Sequence, residues 1–253
     1  MVRTLALSAA AVILLATGAA APTPSAQRIE SQVLQTANGF RAEHGLAPLQ
    51  SNAVLTADAR AFAEYMARTG RFSHTADGRD PAQRARAAGY DYCTLEENIA
   101  YEEDDAGYGA DRLAGIFMAN WEASPGHRRN LLDAEVTETG VAVARAPNRG
   151  RLQRYVAVQE FGQPHWMRYS FEIDNRTPAR IPFSFDGSDG ELAPRSSMRE
   201  STCATGDIVF PSLGRDRSRY AAEPGARYVL TSSAGEVQVE VVRPDPSGGR
   251  PED

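Results

Sequence analysis

No lysine occurs in this chain of 253 residues; all 27 of its basic side chains are arginine. Schiff-base chemistry is therefore excluded, and pyridoxal enzymes and lysine-dependent aldolases with it. So are the P-loop, the kinase strand lysine and the serine–lysine dyad. Cysteine is almost as scarce: Cys93 and Cys203 are the whole set, too few for a disulfide framework or a four-ligand zinc site. Histidine occurs only at His44, His74, His127 and His165. Any chemical site must be built from these few groups and the carboxylates. The formal charge of −6 argues against nucleic acid as the main partner.

Long apolar runs are also missing beyond the N-terminus. Residues 1–21 place Arg3 before an uncharged stretch from Leu5 to Ala16 and end in small residues, Gly18 to Ala21. That three-part pattern predicts a secretory signal peptide rather than a membrane anchor, which needs about 20 strongly apolar residues. The expected mature chain is secreted or periplasmic, without a transmembrane segment, in a compartment where a disulfide persists. With two cysteines available, a Cys93–Cys203 bond is expected.

Hydrophobic spacing divides the rest of the chain. Ile29, Val33, Ala37 and Phe40 form a helical stripe closed by Gly45. Leu55, Ala59, Phe62, Ala63 and Met66 form a second, with Ser51 or Asn52 as its cap and Gly70 as its stop. Asp80-Pro81 starts a short third helix that stops at Gly89. Leu113, Phe117 and Trp121 mark a fourth, ending before Pro125. Gly140–Ala144 and Tyr155–Phe161 read as antiparallel neighbours. Beyond Pro164, alternation at Tyr169–Ile173, Ile181–Phe185 and Val237–Val241 predicts an all-β domain over 165–243. The tail, 244–253, is polar, rich in Pro and Gly, and expected to be disordered.

Three segments in the first part carry groups suited to chemistry. They are Arg71-Phe72-Ser73-His74-Thr75, Glu96-Glu97-Asn98-Ile99-Ala100, and Trp121 through Ser124-Pro125-Gly126-His127 to Leu132. Each is expected in a loop or at a helix end. Two neutral imidazoles and a carboxylate can ligate a divalent metal with a position left open, or act as a metal-free acid/base group. The acidic run Glu102–Asp105 lacks the spacing of a calcium loop and reads as a solvated loop. His44 reads as a helix-end group, His165 as a surface or interface residue and Trp121 as core.

The run from Val33 to Leu132 resembles the CAP superfamily of cysteine-rich secretory proteins, antigen 5 and pathogenesis-related proteins, in its bacterial branch. Asn38-x-x-Arg41, Gly45-Leu46-x-Pro48-Leu49, Phe72-Ser73-His74, Glu97-Asn98-Ile99-Ala100 and Trp121-x-x-Ser124-Pro125-Gly126-His127-x-x-Asn130 carry the resemblance, over most of residues 27–163. It implies an α+β fold, a three-layer α-β-α sandwich with a cleft, here followed by the small all-β domain. It also implies a divalent metal, such as Zn2+, at His74, His127 and Glu97, in a cleft lined by Ser73, Asn98, Ser124 and Arg128. Ser124 stands where animal members carry a second glutamate, so a mechanism needing two cleft glutamates is in doubt. The expected function is a binding or cell-envelope module with an unidentified cleft ligand. The alternatives are a metal-dependent, peptidase-like hydrolase with Glu97 as the catalytic candidate, and an apolar-ligand or lipid binder. Whether the chain is an enzyme stays open.

Overall fold

A computed structural model describes residues 25–214 and 218–245; the expected signal peptide, and the tail from 246 onward, lie outside them. The first half runs α1 (Ala26–Glu43), β1 (Gln50–Ser51), α2 (Ala53–Thr69), α3 (Pro81–Ala88), β2 (Tyr92–Asp104), α4 (Ala110–Ala123), α5 (Pro125–Leu131), β3 (Glu138–Arg149) and β4 (Leu152–Pro164). Local signals set the helix ends. The Asn52 side chain accepts from the Val54 and Leu55 amides at the start of α2. Asp80 and Gln83 form a reciprocal capping box on α3, with Pro81 in its first turn. Pro125 has two roles where the sequence indicated one. It closes α4 and occupies the first turn of α5, where a missing N–H costs nothing.

The sheet order is β1-β3-β4-β2. β3 and β4 pair antiparallel, as their alternation indicates, and β2 pairs antiparallel with β4 along almost its whole length. β2 corrects two expectations. Glu96–Ala100 lies in the middle of a strand, not in a loop, and Glu102–Asp104 form the end of that strand. The run Glu-Glu-Asn…Glu-Glu-Asp is poor in strand formers. Its main-chain ladder to β4 decides the conformation, and an edge position tolerates charge.

Three layers result. On one face, α1 and α4 bury Val33, Ala37, Leu113, Phe117 and Trp121 against Val143, Ala157 and Phe161. On the other, α2 buries Ala59, Phe62, Ala63 and Met66 against Ala142, Ala144 and Val158. The alternation of β3 thus assigns valines to one layer and alanines to the other. Gly140, on the α2 face, continues the small-residue row: a Cβ there would overlap the backbone of Leu55 and Thr56.

The remaining strands are β5 (Tyr169–Asn175), β6 (Ile181–Phe185), β7 (Ser188–Leu192), β8 (Ser196–Thr202), β9 (Asp207–Val209), β10 (Arg219–Ala221), β11 (Arg227–Ser233) and β12 (Glu236–Val242). They form two four-stranded sheets, β10-β9-β6-β7 and β12-β11-β5-β8. Phe171, Ile173, Phe185, Ile208, Phe210, Tyr228 and Leu230 fill the space between them. A disulfide joins Cys93 on β2 to Cys203 just after β8, with Cα atoms 5.6 Å apart. Its sequence separation of 110 makes a long closed loop; such a bond contributes about 4–5 kcal/mol by the chain-entropy relation. Beside it, Gln163 Nε2 donates to the Cys203 carbonyl at 3.3 Å.

Gly140→Ala is expected to force α2 off the sheet and to destabilise the protein by about 2–3 kcal/mol. Urea unfolding measures this; a loss below about 0.5 kcal/mol, the range of an ordinary surface change, would show that the helix shifts freely.

Candidate functional site

β2 is the open edge of the first sheet, and the site wraps around that edge. His74 comes from the loop after α2, on one side. His127 comes from α5, on the other. Their ring centroids lie 6.4 Å apart. Glu97 sits on β2 between them, with its side chain 1% exposed.

Glu97 is held from two directions. His74 Nδ1 donates to Glu97 Oε1 at 2.7 Å, and Arg84 Nη2 donates to Glu97 Oε2 at 2.5 Å. In the neutral ring the first bond places the proton on Nδ1 and the lone pair on Nε2. Arg84, in α3, is as deeply buried as Glu97. Its Nη1 donates to the carbonyls of His74 (2.8 Å) and Arg79 (3.0 Å), so the guanidinium ties the His74 loop to β2. Its flat face lies 3.5 Å from the Phe62 ring centroid. His74 is therefore positioned through both its backbone and its ring.

The other side is tied by amides. Asn98 Nδ2 donates to the His127 carbonyl at 3.1 Å. Asn130 Nδ2 donates to Asn98 Oδ1 (3.0 Å) and the Glu97 carbonyl (3.2 Å). These bonds dock α5 on the edge strand and set His127. Burial, and the neighbouring His74, lower the His127 pKa below its usual 6.5. The ring is thus neutral near pH 7.

The structure brings His74, His127 and Glu97 together, with Ser73 exposed beside His74 and Ser124 half-buried at the start of α5. It does not bring Asn98 to the cleft surface: that side chain is fully buried in the tether. Arg128 points away, donating to His44 Nε2 at 3.0 Å and lying 4.8 Å from the Phe40 ring. His44 bonds the Phe40 carbonyl at the end of α1. His165 pairs with Asp91 at 3.5 Å, and Trp121 is fully buried, donating to the Ile99 carbonyl. Among the described residues, no three His, Cys, Asp or Glu side chains are arranged to hold a metal ion.

Arg84, Asp58 and Glu160 went unnoticed in the sequence. Glu160 on β4 lies directly opposite Glu97 on β2, and Asp58 projects from α2 into the same layer. Glu160 is fully buried, and neither of its oxygens meets an N–H or O–H donor. Burial, with the Asp58 charge adding to it, pushes the Glu160 carboxyl up to about 10. Burial raises Asp58 as well, and the two side chains are within hydrogen-bonding range of each other. The pair therefore shares a proton at neutral pH. No local pattern marks these positions; only the strand register makes the carboxyls converge.

The chain matches the cysteine-rich secretory protein (CAP) family over residues 34–161. Two Bacillus subtilis proteins are similar. YkwD, uncharacterised, is 30% identical over 118 residues, which are 46% of this chain and 43% of that one. YlbC, an uncharacterised membrane protein, is 32% identical over 117 residues, 46% of this chain and 32% of that one. The match thus spans less than half the length of either relative. Among solved structures, an extracellular SCP-domain protein of Bacillus anthracis has a TM-score of 0.44 at 22% identity, covering 55% of this chain and 41% of that one. An outer surface protein of Borrelia burgdorferi has a TM-score of 0.43 at 18% identity, covering 55% and 94%.

Because Glu160 is protonated in the folded state and ionised in the unfolded chain above its ordinary 4.5, its contribution is complete at acid pH. It is lost as the pH climbs toward about 10. Glu160→Gln removes that proton requirement. Urea unfolding at pH 5 and pH 9 is expected to show the variant gaining on the parent by at least about 1 kcal/mol across the interval. Parallel stabilities at the two pH values would contradict the buried proton.

Proposed function

The chain belongs to the cysteine-rich secretory protein family, and from that premise we propose that it is an exported binding module of the cell envelope. Its ligand meets the cleft between His74 and His127. The carrying observation is the state of Glu97. Both carboxylate oxygens are committed, one to His74 and one to Arg84. A hydrolase of this pattern needs a carboxylate free to ligate metal or to take a proton from water. Here the carboxylate orients an imidazole instead, which favours binding over hydrolysis. The signal-like N-terminus and the Cys93–Cys203 bond support export. No helix among the described residues is long and apolar enough to cross a membrane.

The donor set fits a divalent metal held by two imidazoles rather than by three protein ligands. His74 Nε2 and the neutral ring of His127 would hold it, and Glu97 would act as the carboxylate behind a ligating histidine. A divalent ion there, such as Zn2+, would supply a Lewis acid toward an oxygen or nitrogen of the cleft ligand. Arg84 and Glu97 keep the His74 ring in one tautomer, and Asn98 and Asn130 hold α5 in place.

One observation favours a second reading, apolar ligand binding. A cavity of about 200 Å³ is lined by Met66, Phe72, Tyr101 and Val156, together with Arg154. The Phe72 side of it is open, since that residue is 47% exposed.

Zinc titration of the purified mature protein is expected to show binding that His74→Ala and His127→Ala each abolish. Glu97→Gln is expected to weaken it only 10–100-fold or so, as the loss of an orienting partner does. Unchanged affinity in both histidine variants would rule out the metal site. Cleavage of a peptide library that Glu97→Gln eliminates would instead establish the hydrolase.

A further inference from the structure

The β sandwich is open along one side. β7 and β8 are edge strands of its two sheets, and between them lies a cavity of about 260 Å³. Its floor is aromatic. The Phe171 and Phe185 rings, 5.0 Å apart and edge to face, are almost wholly buried. Phe183 and Met198 are half-buried beside them, within reach of solvent. The Phe183 ring rests on the main chain of Gly190, the residue opposite it on β7, where a Cβ would come within 2.5 Å of the ring. One charge stands against this apolar surface. In the β5–β8 register Glu200 pairs with Phe171, and Met198 with Ile173. Residues directly opposite each other share a face, so Glu200 points into the sandwich with Phe171. It is half-buried and has no hydrogen-bond or ion-pair partner among the described residues. Asp186, exposed in the β6–β7 turn, adds a second negative charge to the lining, and no arginine among the described residues offsets it there.

We propose that this cavity is a binding site for an organic cation on an aliphatic stem, an alkylammonium or alkylguanidinium of the kind a lysine or arginine side chain carries. Such a ligand answers both surfaces at once. Its stem lies against Phe183 and Met198, and its charged end meets the Glu200 carboxylate beside the rings, where aromatic faces also attract a cation. A neutral apolar ligand would strip water from Glu200 without pairing it, which is costly. A bare inorganic cation would leave the aromatic surface empty, and one inward carboxylate is too few ligands to hold a metal ion. An inward charge can also guard a strand edge against unwanted pairing, but that role needs no aromatic hollow in front of the charge. The site lies wholly in the β sandwich and is independent of the histidine cleft.

The test uses the mature, disulfide-bonded protein and amide NMR titration. n-Butylammonium and n-butylguanidinium are expected to give saturable shifts around Phe183–Gly190 and Met198–Thr202. n-Butanol, which keeps the stem without the charge, and ammonium, which keeps the charge without the stem, should each bind at least about tenfold more weakly. Glu200→Gln keeps the shape of a half-exposed, unpaired side chain, so the variant retains the fold. It is expected to weaken n-butylammonium about tenfold, as loss of a hydrogen bond to a charged group does. Phe183→Leu is expected to weaken it about threefold or more. Nα-Acetylarginine methylamide separates the two sources: binding tighter than n-butylguanidinium assigns a peptide side chain, and weaker binding assigns a free cation. No saturable shift with either cation, or n-butanol binding as well as n-butylammonium, would overturn the proposal. So would unchanged affinity in Glu200→Gln, which would leave Glu200 as an edge guard only.

Discussion

One buried ion pair organises the first half of the molecule. Arg84 and Glu97 meet with both side chains almost wholly out of water. Such a pair contributes little net stability by itself, but losing either partner strands a charge and costs several kcal/mol. The guanidinium is shared among β2, the loop that carries His74 and the α3 helix. Removing it would disturb the strand edge and the histidine together. Arginine suits this role, since it stays charged under all ordinary conditions and offers several donors in a fixed plane.

The same pair explains the proton beneath it. Glu97 and Glu160 face each other across neighbouring strands, an arrangement that is unfavourable when both are ionised. Asp58 adds a third carboxyl from the helix above. Arg84 is already engaged by Glu97 and, more distantly, by Asp77. Neutralising Glu160 with a proton is the arrangement that burial allows. Arg84 is thereby left to Glu97, whose other oxygen orients His74.

What was legible in the sequence is what local chemistry decides. The cap at Asp80-Pro81, the stripe ending at Trp121 and the alternation of β3 and β4 all read directly onto the structure. So did the pairing of the two cysteines and the meeting of His74 with His127, the latter through family resemblance rather than spacing. α5 was not legible, because seven residues are too few to show a stripe. β2 was missed because its side chains are those of a loop, while its ladder to β4 is invisible along the chain. Arg84 looked like its neighbour Arg86. Only tertiary packing buries one and leaves the other at the surface.

The disulfide has a geometric consequence. The two halves are joined covalently by the main chain through His165–Arg168 and by Cys93–Cys203, and hydrogen bonds from Gln163 to Cys203 and from Thr205 to Glu135 lie beside these links. A body held at one point can swivel, and each further link restrains that motion. The disulfide link is on β2, four residues before Glu97. A pull on the β sandwich is therefore delivered to the strand that carries the histidine site's own carboxylate, so the edge strand serves also as the tendon between the two halves.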